Sequence, residues 1–530
     1  MSSMILLSSS SFFLPTYLTK QIKDNNYSRG QFSFALKKSY VIALIIQEKQ
    51  ADLGSNNWLA LNRELAKTQW LSALKLARWY QGKSKNESRA LVFSKAVMWF
   101  EQAIRLGSQQ AIVALAQLYF QQHKIIKAQA TLRQLPEVIP SNNVSEAALI
   151  LDIIIAIHLG DSTRVKQLLN SGTAVGFQQS NMLNLLLADI DKYAISNFST
   201  KLKDVDDVDD VKVKLSSPSC ISSLQLFATN LKHLKHLEQL IKIFNTQQPL
   251  AQYVCLSTPR YISIKRLDCM AQSQHTITCD ETLWRSVAED VDSRHIGLML
   301  NEGKANVHFG ILYFDANDNA EVFSHEVSHL LGFVDEYPLI KGHDKCQGIQ
   351  SKPFSHNIAV LKKYYQGDKK ALRAKILKNV SWAHSINANT PILQVIDKTP
   401  DIENIWLLGT PLEYKDKIGI YISESCQKSN SDYSDLPSRT TSINQVTRYS
   451  AFKPLSRRTQ LRYFANDFPK EYLTLIKENP SDYFMPSFHY NIALALYQQG
   501  EVSNAKYWLS QAAQWENNLM RKARILIGEL

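Results

Sequence analysis

The stretch His325-Glu326-Val-Ser-His329-Leu-Leu-Gly332-Phe-Val-Asp335 is the most informative part of this sequence. Two histidines four residues apart lie on one face of an α-helix, where both imidazoles can reach a single metal ion. Gly332 predicts the end of that helix, because glycine tolerates the positive φ of a C-terminal turn. The returning chain then supplies Asp335 as a third ligand, which leaves a fourth position open for water, as a catalytic zinc site requires.

Glu326 is turned so that its carboxylate reaches a metal-bound water rather than the metal, which is the position of a general base. Asp335 is the preferred third ligand. Rival ligands stay open at this level, and they are Glu336, His343, Glu413 and Glu424.

The HExxHxxGxxD pattern resembles the metzincin-type zinc metallopeptidases whose third ligand is Asp. It is most similar to the IgA-peptidase-like group, in which Asp-Glu-Tyr stands where Asp335-Glu336-Tyr337 stands here. The resemblance is close over about 20 residues and extends in outline over Ser219–Cys426. It implies one catalytic Zn²⁺ and hydrolysis of peptide bonds in a protein or peptide substrate.

That resemblance also implies two features outside the motif. One is an upstream strand that pairs with the substrate backbone, for which Val307–Tyr313 is the candidate; an internal sheet strand is the equal alternative. The other is a methionine turn beneath the metal. No methionine lies between Met299 and Met485, so either Met485 serves across a long insertion or another residue takes its place.

Two further sets of side chains near the motif are candidates for supporting roles. Tyr337 would steady the oxyanion or, as we favour, orient Asp335, and Glu336 is a second supporting candidate. A Ca²⁺ site is conceivable on oxygen ligands just before the metal helix, although a solvated loop is the preferred interpretation. Its ligands would be Asp315, Asp318 and Asn319.

The order of elements before the motif predicts an α+β domain. Its members are a strand at Ser222–Ala228, a helix from Leu231 to Phe244, a strand at Tyr253–Leu256, a short helix at Glu281–Asp290, strands at Ile296–Leu300 and Val307–Phe314, and the metal helix from Asn319 or Ala320.

Helical repeats are predicted on both sides of this domain. Leu76–Tyr80 resembles Leu115–Tyr119, and Lys95–Phe100 resembles Lys127–Leu132, at offsets of 39 and 32 residues. Such spacing resembles the tetratricopeptide superfamily of stacked helical hairpins. Asn491–Gly500 and the helix after it predict another hairpin, and such repeats suit docking of a substrate or a protein partner.

These patterns predict five segments, giving an α+β, metzincin-like peptidase domain flanked by α-helical hairpin repeats. They are 1–56, an N-terminal segment of unclear role; 57–200, the repeats; 201–218, a linker; 219–440, the zinc peptidase domain; and 441–530, a C-terminal helical region with one hairpin.

Composition narrows the setting and the partners. The net charge is +12 and the pI is near 9.1, but there is no run of five basic residues and no nucleic-acid motif, so no nucleic-acid partner is predicted. No run of about 20 apolar residues predicts a transmembrane helix. Six cysteines without a CxxC pair indicate disulfides. Among their possible pairings, Cys346–Cys426 is a guess, and a periplasmic, cell-envelope or secreted location is favoured over the cytoplasm.

Two other functions stay open beside peptide hydrolysis. The repeats and a structural or vestigial zinc site would suit a non-catalytic adaptor, although such a site does not need Glu326. The basic charge would suit an amidase that acts on cell-wall peptides.

Overall fold

The computed structural model describes residues 13–83, 89–136, 143–171, 180–195, 220–340, 342–397, 405–426, 449–478 and 480–529. The chain divides into two compact units, Met1–Ile190 and Asp191–Leu530. Together the units have the mixed α+β composition predicted from the sequence. The predicted linker, 201–218, and the first 12 residues lie outside the described residues.

The first unit is helical throughout its described residues. Its predicted repeats are helix pairs in which buried alanines, such as Ala77 and Ala96, let the helices approach while Trp58 and Phe100 fill the space between them. The helices are α1 Leu14–Lys23, α2 Arg29–Lys37, α3 Val41–Gln50, α4 Asn56–Leu65, α5 Trp70–Gly82, α6 Arg89–Arg105, α7 Gln109–Gln121, α8 Ile125–Leu132, α9 Asn143–His158 and α10 Ser162–Leu169. Helix α11, Asn181–Lys192, carries the boundary between the units.

The second unit is built on a six-stranded sheet that precedes the helix carrying His325 and His329. Its strands run in the order β2-β1-β6-β8-β7, with β3 paired to the end of β1. All pairs are parallel except β7 with β8, so β7 is an antiparallel edge strand. The strands are β1 Ser222–Ala228, β2 Val254–Leu256, β3 Arg260–Tyr261, β6 His295–Leu300, β7 Asn306–His308 and β8 Ile311–Asp315; a separate hairpin holds β4 Cys269–Met270 and β5 Thr278–Cys279.

Two helical predictions in this unit are confirmed and one strand prediction is corrected. The helix after β1 is α12, Leu231–Gln247, and Glu281–Asp290 contains a 3₁₀ turn, Glu281–Trp284, followed by α13, Arg285–Ala288. The single strand predicted at Val307–Phe314 is instead the two strands β7 and β8. The chain reverses at Phe309-Gly310, where both residues have positive φ.

Gly310 has a second reason to be glycine. A Cβ there would lie 2.5 Å from the Pro486 carbonyl oxygen and 2.7 Å from the Phe488 nitrogen. The turn between β7 and β8 therefore packs directly against a segment that lies about 175 residues later in the chain.

The long segment after Asp335 forms two further three-stranded sheets, ordered β10-β12-β11 and β13-β14-β9. A disulfide, Cys346–Cys426, closes the part of this segment between residues 347 and 425, as the sequence suggested. Its elements are β9 Ala359–Lys362, β10 Tyr364–Gln366, α15 Lys369–Leu377, β11 Leu393–Asp397, β12 Ile405–Leu408, β13 Tyr421–Ile422 and β14 Tyr449–Lys453, and the metal helix before them is α14 Ala320–Leu330.

Cysteine pairing agrees with an oxidising, extracytoplasmic environment. The three disulfides are Cys220–Cys255, Cys269–Cys279 and Cys346–Cys426, and they use all six cysteines. In the described part of the chain, no helix combines the length and the hydropathy needed to cross a bilayer.

The C-terminal helices pack onto the sheet. Phe488, Ile492 and Trp508 share one buried cluster with Phe227 and Trp284 of the strand-rich region. Residues of the predicted C-terminal hairpin therefore contribute to the same hydrophobic core as the sheet. The helices are α16 Lys470–Glu478, α17 Phe488–Gln498, α18 Val502–Gln514 and α19 Leu519–Leu526.

His489 makes this packing sensitive to acid. It is 6% exposed and lies against Phe488 and Trp508, and burial lowers its pKa to about 4. The pKa of His489 is therefore lower in the folded state than in the unfolded state, where it is near 6.5. The protein has its full stability above pH 6.5, and its free energy of unfolding falls as the pH drops from there towards 4. We expect a loss of about 3 kcal/mol over that range, measured by urea unfolding. His489→Phe should reduce this loss and leave the contributions of the carboxylates and of two other buried histidines, His295 and His356, whose pKa values burial also lowers.

Candidate metal centre

The cap and the packing of helix α14 hold it in place without any metal. Asn319 caps its first turn, accepting the Val322 amide at 3.0 Å. Phe323 is fully buried. Its ring is tilted against Phe314 of β8, with a centroid separation of 5.5 Å, and meets Phe244 of α12 edge to face at 5.2 Å. The helix therefore presents His325 and His329 from a surface anchored to both the sheet and α12.

The end of α14 turns the chain back as the sequence predicts. Gly332 has φ +93° and donates to the His329 carbonyl at 3.0 Å, while Phe333 donates to the Ser328 carbonyl at 3.1 Å. This is the hydrogen-bond pattern of a glycine-terminated helix. A Cβ on Gly332 would also overlap the backbone of Tyr483, so glycine is required for both conformation and space.

This turn places three ligand atoms together. The Nε2 atoms of His325 and His329 are 3.1 Å apart, and Asp335 Oδ1 lies 3.0 Å from the first and 3.3 Å from the second. In a tetrahedral zinc site with bonds of about 2.0–2.1 Å, neighbouring ligand atoms are about 3.3–3.4 Å apart. The three residues therefore have the spacing and atom types that a tetrahedral metal ion needs.

The tautomers of both histidines favour a cation at this point. His325 Nδ1 lies 3.0 Å from the Gln460 carbonyl oxygen, and His329 Nδ1 lies 3.0 Å from that of Phe333. A carbonyl oxygen only accepts, so each Nδ1 carries a hydrogen, and in its neutral form each ring directs the lone pair of Nε2 inward. Two lone pairs and a carboxylate oxygen then face one another, and Asp335 Oδ1 has no properly aligned hydrogen-bond donor among the described residues.

Without an ion, the close approach of the imidazoles and carboxylates shifts the pKa values of His329 and Asp335. Burial disfavours the charge on His329, but the Asp335 and Glu326 carboxylates outweigh it and raise the His329 pKa to about 10. Burial likewise opposes ionisation of Asp335, yet the two imidazoles hold its pKa well below the usual range. The pocket therefore stabilises positive charge at the point where the three atoms meet.

Glu326 lies beside this point. Its carboxylate is within 4.8 Å of the ligand nitrogens of both histidines, and the three residues form a group that could hold a metal ion. Burial raises the pKa of Glu326. Asp335 Oδ1, at 3.0 and 3.3 Å from the two Nε2 atoms, has the spacing expected of a third ligand.

Tyr337 supports the site from one side. Its ring stacks on His325 with an interplanar angle of 14° and a centroid separation of 6.3 Å. Burial, followed by the charge of Asp335, raises the pKa of its hydroxyl, which therefore stays protonated. Its contacts favour the orienting role for Asp335 that the sequence suggested.

Glu336 points away from the metal-binding atoms. It is 1% exposed, and its two oxygens accept from Lys453 Nζ at 2.6 Å and from the Tyr472 hydroxyl at 2.5 Å. Its amide donates to the Leu461 carbonyl at 3.0 Å. Glu336 therefore anchors the loop that carries Asp335 and is not brought to the metal-binding atoms.

The other rival ligands also lie apart from the three atoms. His343 Nδ1 accepts the Lys345 amide at 3.2 Å, Glu413 is exposed, and Glu424 pairs with Arg462 at 2.7 Å. The oxygens proposed for Ca²⁺ serve the loop before α14: Asp318 accepts the Asp315 amide, Asp315 accepts the Asn317 amide, and Asn319 caps the helix.

Several residues around the site were missed in the sequence. Gln460 supplies the carbonyl for His325, Phe464 packs edge-on against the same ring at 4.7 Å, and Ser425 donates to the Asp335 carbonyl at 2.6 Å. They lie 90 to 139 residues beyond the histidines or Asp335, where no local pattern signals them. Lys453, which binds Glu336, is a charged residue at the end of a largely buried strand, and this pattern is a sequence signal for a buried partner.

A second approach from the distant chain involves Met485. Its amide donates to the Leu330 carbonyl at 3.0 Å, one residue after His329. Its own carbonyl lies 3.2 Å from His295 Nε2 and accepts from Arg294 at 3.0 Å. The segment around Met485 thus packs against the end of the metal helix, with the long two-sheet segment between them in sequence.

Comparison of the whole chain with protein-family models, with curated proteins and with solved structures finds no match.

Proposed function

We propose that this protein is a zinc-dependent peptidase. The proposal rests on one observation above the others: two imidazole lone pairs and a carboxylate oxygen converge within 3.0–3.3 Å, with Glu326 alongside. Three protein ligands and an adjacent carboxylate are what a hydrolytic zinc site needs, whereas a structural site closes with a fourth protein ligand.

The residues divide into distinct roles. His325, His329 and Asp335 would hold the ion, which when bound lowers the pKa of water and polarises a peptide carbonyl. Glu326 would take the proton from the attacking water and return it to the leaving amine. Tyr337 keeps Asp335 oriented, and the carbonyls of Gln460 and Phe333 hold the two imidazole rings in the required tautomer.

Two neighbouring features support a metzincin-like domain. The antiparallel edge strand β7 precedes and contacts α14, a suitable place for a substrate backbone to pair. Met485 reaches the end of the same helix from beyond a long insertion, the position in which a methionine turn would be expected. The candidate for the substrate-pairing strand therefore shifts from Val307–Tyr313 to β7, Asn306–His308, because Ile311–Tyr313 belongs to β8 inside the sheet.

Metal analysis of purified variants tests the ligand set. We expect one zinc per chain in the wild type and marked loss in His325→Ala and in Asp335→Ala, because each removes one of three protein ligands. His343→Ala is the matched control and should keep the zinc. A wild type without zinc, or an Asp335→Ala protein with full zinc, would contradict the proposal.

A further inference from the structure

The two-sheet segment after the metal centre carries a concentrated positive charge, which we call the basic face. Between residues 362 and 378 the chain has seven basic residues and one acidic residue, a formal charge of +6 out of +12 for the whole protein. The acidic residue, Asp368, is used to cap α15 through the Ala371 amide at 2.8 Å. The bases are Lys362, Lys363, Lys369, Lys370, Arg373, Lys375 and Lys378.

These charges have no carboxylate partner within the described ranges. The ion pairs there involve other residues, such as Lys453 with Glu336 and Arg462 with Glu424. Arg373 instead donates to the carbonyls of Thr390 and Asn387 at 2.7 and 3.1 Å. Like charges placed together without counterions destabilise a surface, so the arrangement favours an anionic partner from outside.

A cavity of about 400 Å³ opens beside Lys362 and Lys375 of the basic face. It lies between α15 and the edge strand β10, and it falls within the usual size range of small-ligand sites, about 300–1,000 Å³. In its lining, Lys362 and Lys375 are cationic, Gln366 and Asn379 carry amides, and Tyr364 and Tyr365 supply aromatic rings, while the other five lining residues are aliphatic. Burial raises the pKa of Tyr365 to about 12, so that ring stays neutral.

We propose that the basic face binds an anionic polysaccharide, with a sugar unit seated in this cavity. The C–H face of a sugar ring stacks on tyrosine, its hydroxyls match the amide groups, and its sulfate, phosphate or carboxylate groups meet the lysines. The oxidising environment indicated by three disulfides favours glycans over nucleic acids. β10 has only three residues, which makes strand pairing with an acidic peptide a poorer fit.

Binding of a labelled heparin hexasaccharide to the full-length protein tests this proposal. We expect saturable binding that weakens at least tenfold between 50 and 300 mM NaCl, because salt screens the lysines, and no binding of neutral dextran. Lys362→Glu/Lys375→Glu should weaken binding at least tenfold. The charge-matched control Lys477→Glu/Lys506→Glu, on exposed positions of α16 and α18, should change it less than twofold.

A second variant separates sugar recognition from charge alone. Tyr364→Ala should lower heparin affinity about fivefold, roughly 1 kcal/mol, and Tyr364→Phe should restore it, since stacking needs only the ring. Equal binding by the lysine pair variant and its control would overturn the site. Tighter binding of poly-glutamate, single-stranded DNA or anionic phosphatidylserine vesicles than of heparin would overturn the ligand class. Zinc content is unaffected by all of these changes, so failure here is distinguishable from failure of the peptidase proposal.

Discussion

Replacing Glu326 with glutamine is expected to leave zinc bound and to lower peptide hydrolysis by about 10²–10⁴-fold. The amide keeps the size of the side chain and its packing in α14. It cannot accept a proton from water or return one to the leaving amine. Zinc should remain because Asp335 and the two imidazoles approach one another at 3.0–3.3 Å without any contribution from Glu326.

Turnover should be measured on a quenched fluorescent peptide library, with zinc content determined on the same samples. Glu321→Gln is the matched control, because Glu321 lies in the first turn of the same helix and does not belong to the group of candidate ligand atoms. If Glu326→Gln cleaved peptides like the wild type, the general base would be elsewhere. Loss of zinc in that variant would instead identify Glu326 as a ligand.

The local part of the candidate site could be predicted because helix geometry fixes it. A spacing of four residues decides that His325 and His329 share a face, and Gly332 decides where the helix ends. Both follow from short-range sterics. The sequence also favoured Asp335 over Glu336 as the third ligand. The structural reason lies in the fold, where Lys453 and Tyr472 donate hydrogen bonds to the Glu336 carboxylate.

Long-range contacts limited the rest of the prediction. The strands and helices before the motif follow hydrophobic periodicity, yet the reversal at Phe309-Gly310 depends on a close approach by Pro486 and Phe488, which periodicity does not encode. In the same way, the aromatic and alanine pattern of α17 and α18 predicts a hairpin correctly. That pattern does not predict what the hairpin packs against, which is the core that contains Phe227 and Trp284.

The C-terminal hairpin also contributes a buried ion network that supports the metal helix at a distance. Glu516 follows α18, is 4% exposed, and accepts from Arg294 at 2.5 Å and from Arg521 at 2.8 Å. Both guanidinium groups donate further to backbone carbonyls between Asp482 and Met485. This network therefore holds the segment whose Met485 amide bonds to the end of α14.

Glu516→Gln is expected to destabilise the protein by about 3–5 kcal/mol, because two buried guanidinium groups lose the carboxylate that they share. Glu501→Gln on the same hairpin is the control. Its partner Arg285 and Glu501 itself are partly exposed, so the cost should stay within about 1 kcal/mol. Urea unfolding followed by tryptophan fluorescence measures both.

If the network also positions the site, Glu516→Gln should bind zinc more weakly under conditions where it remains folded. Unchanged zinc affinity with the expected loss of stability would mean that the network stabilises the core without positioning α14. Equal stability of the two variants would show that the buried charges contribute no more than an exposed pair.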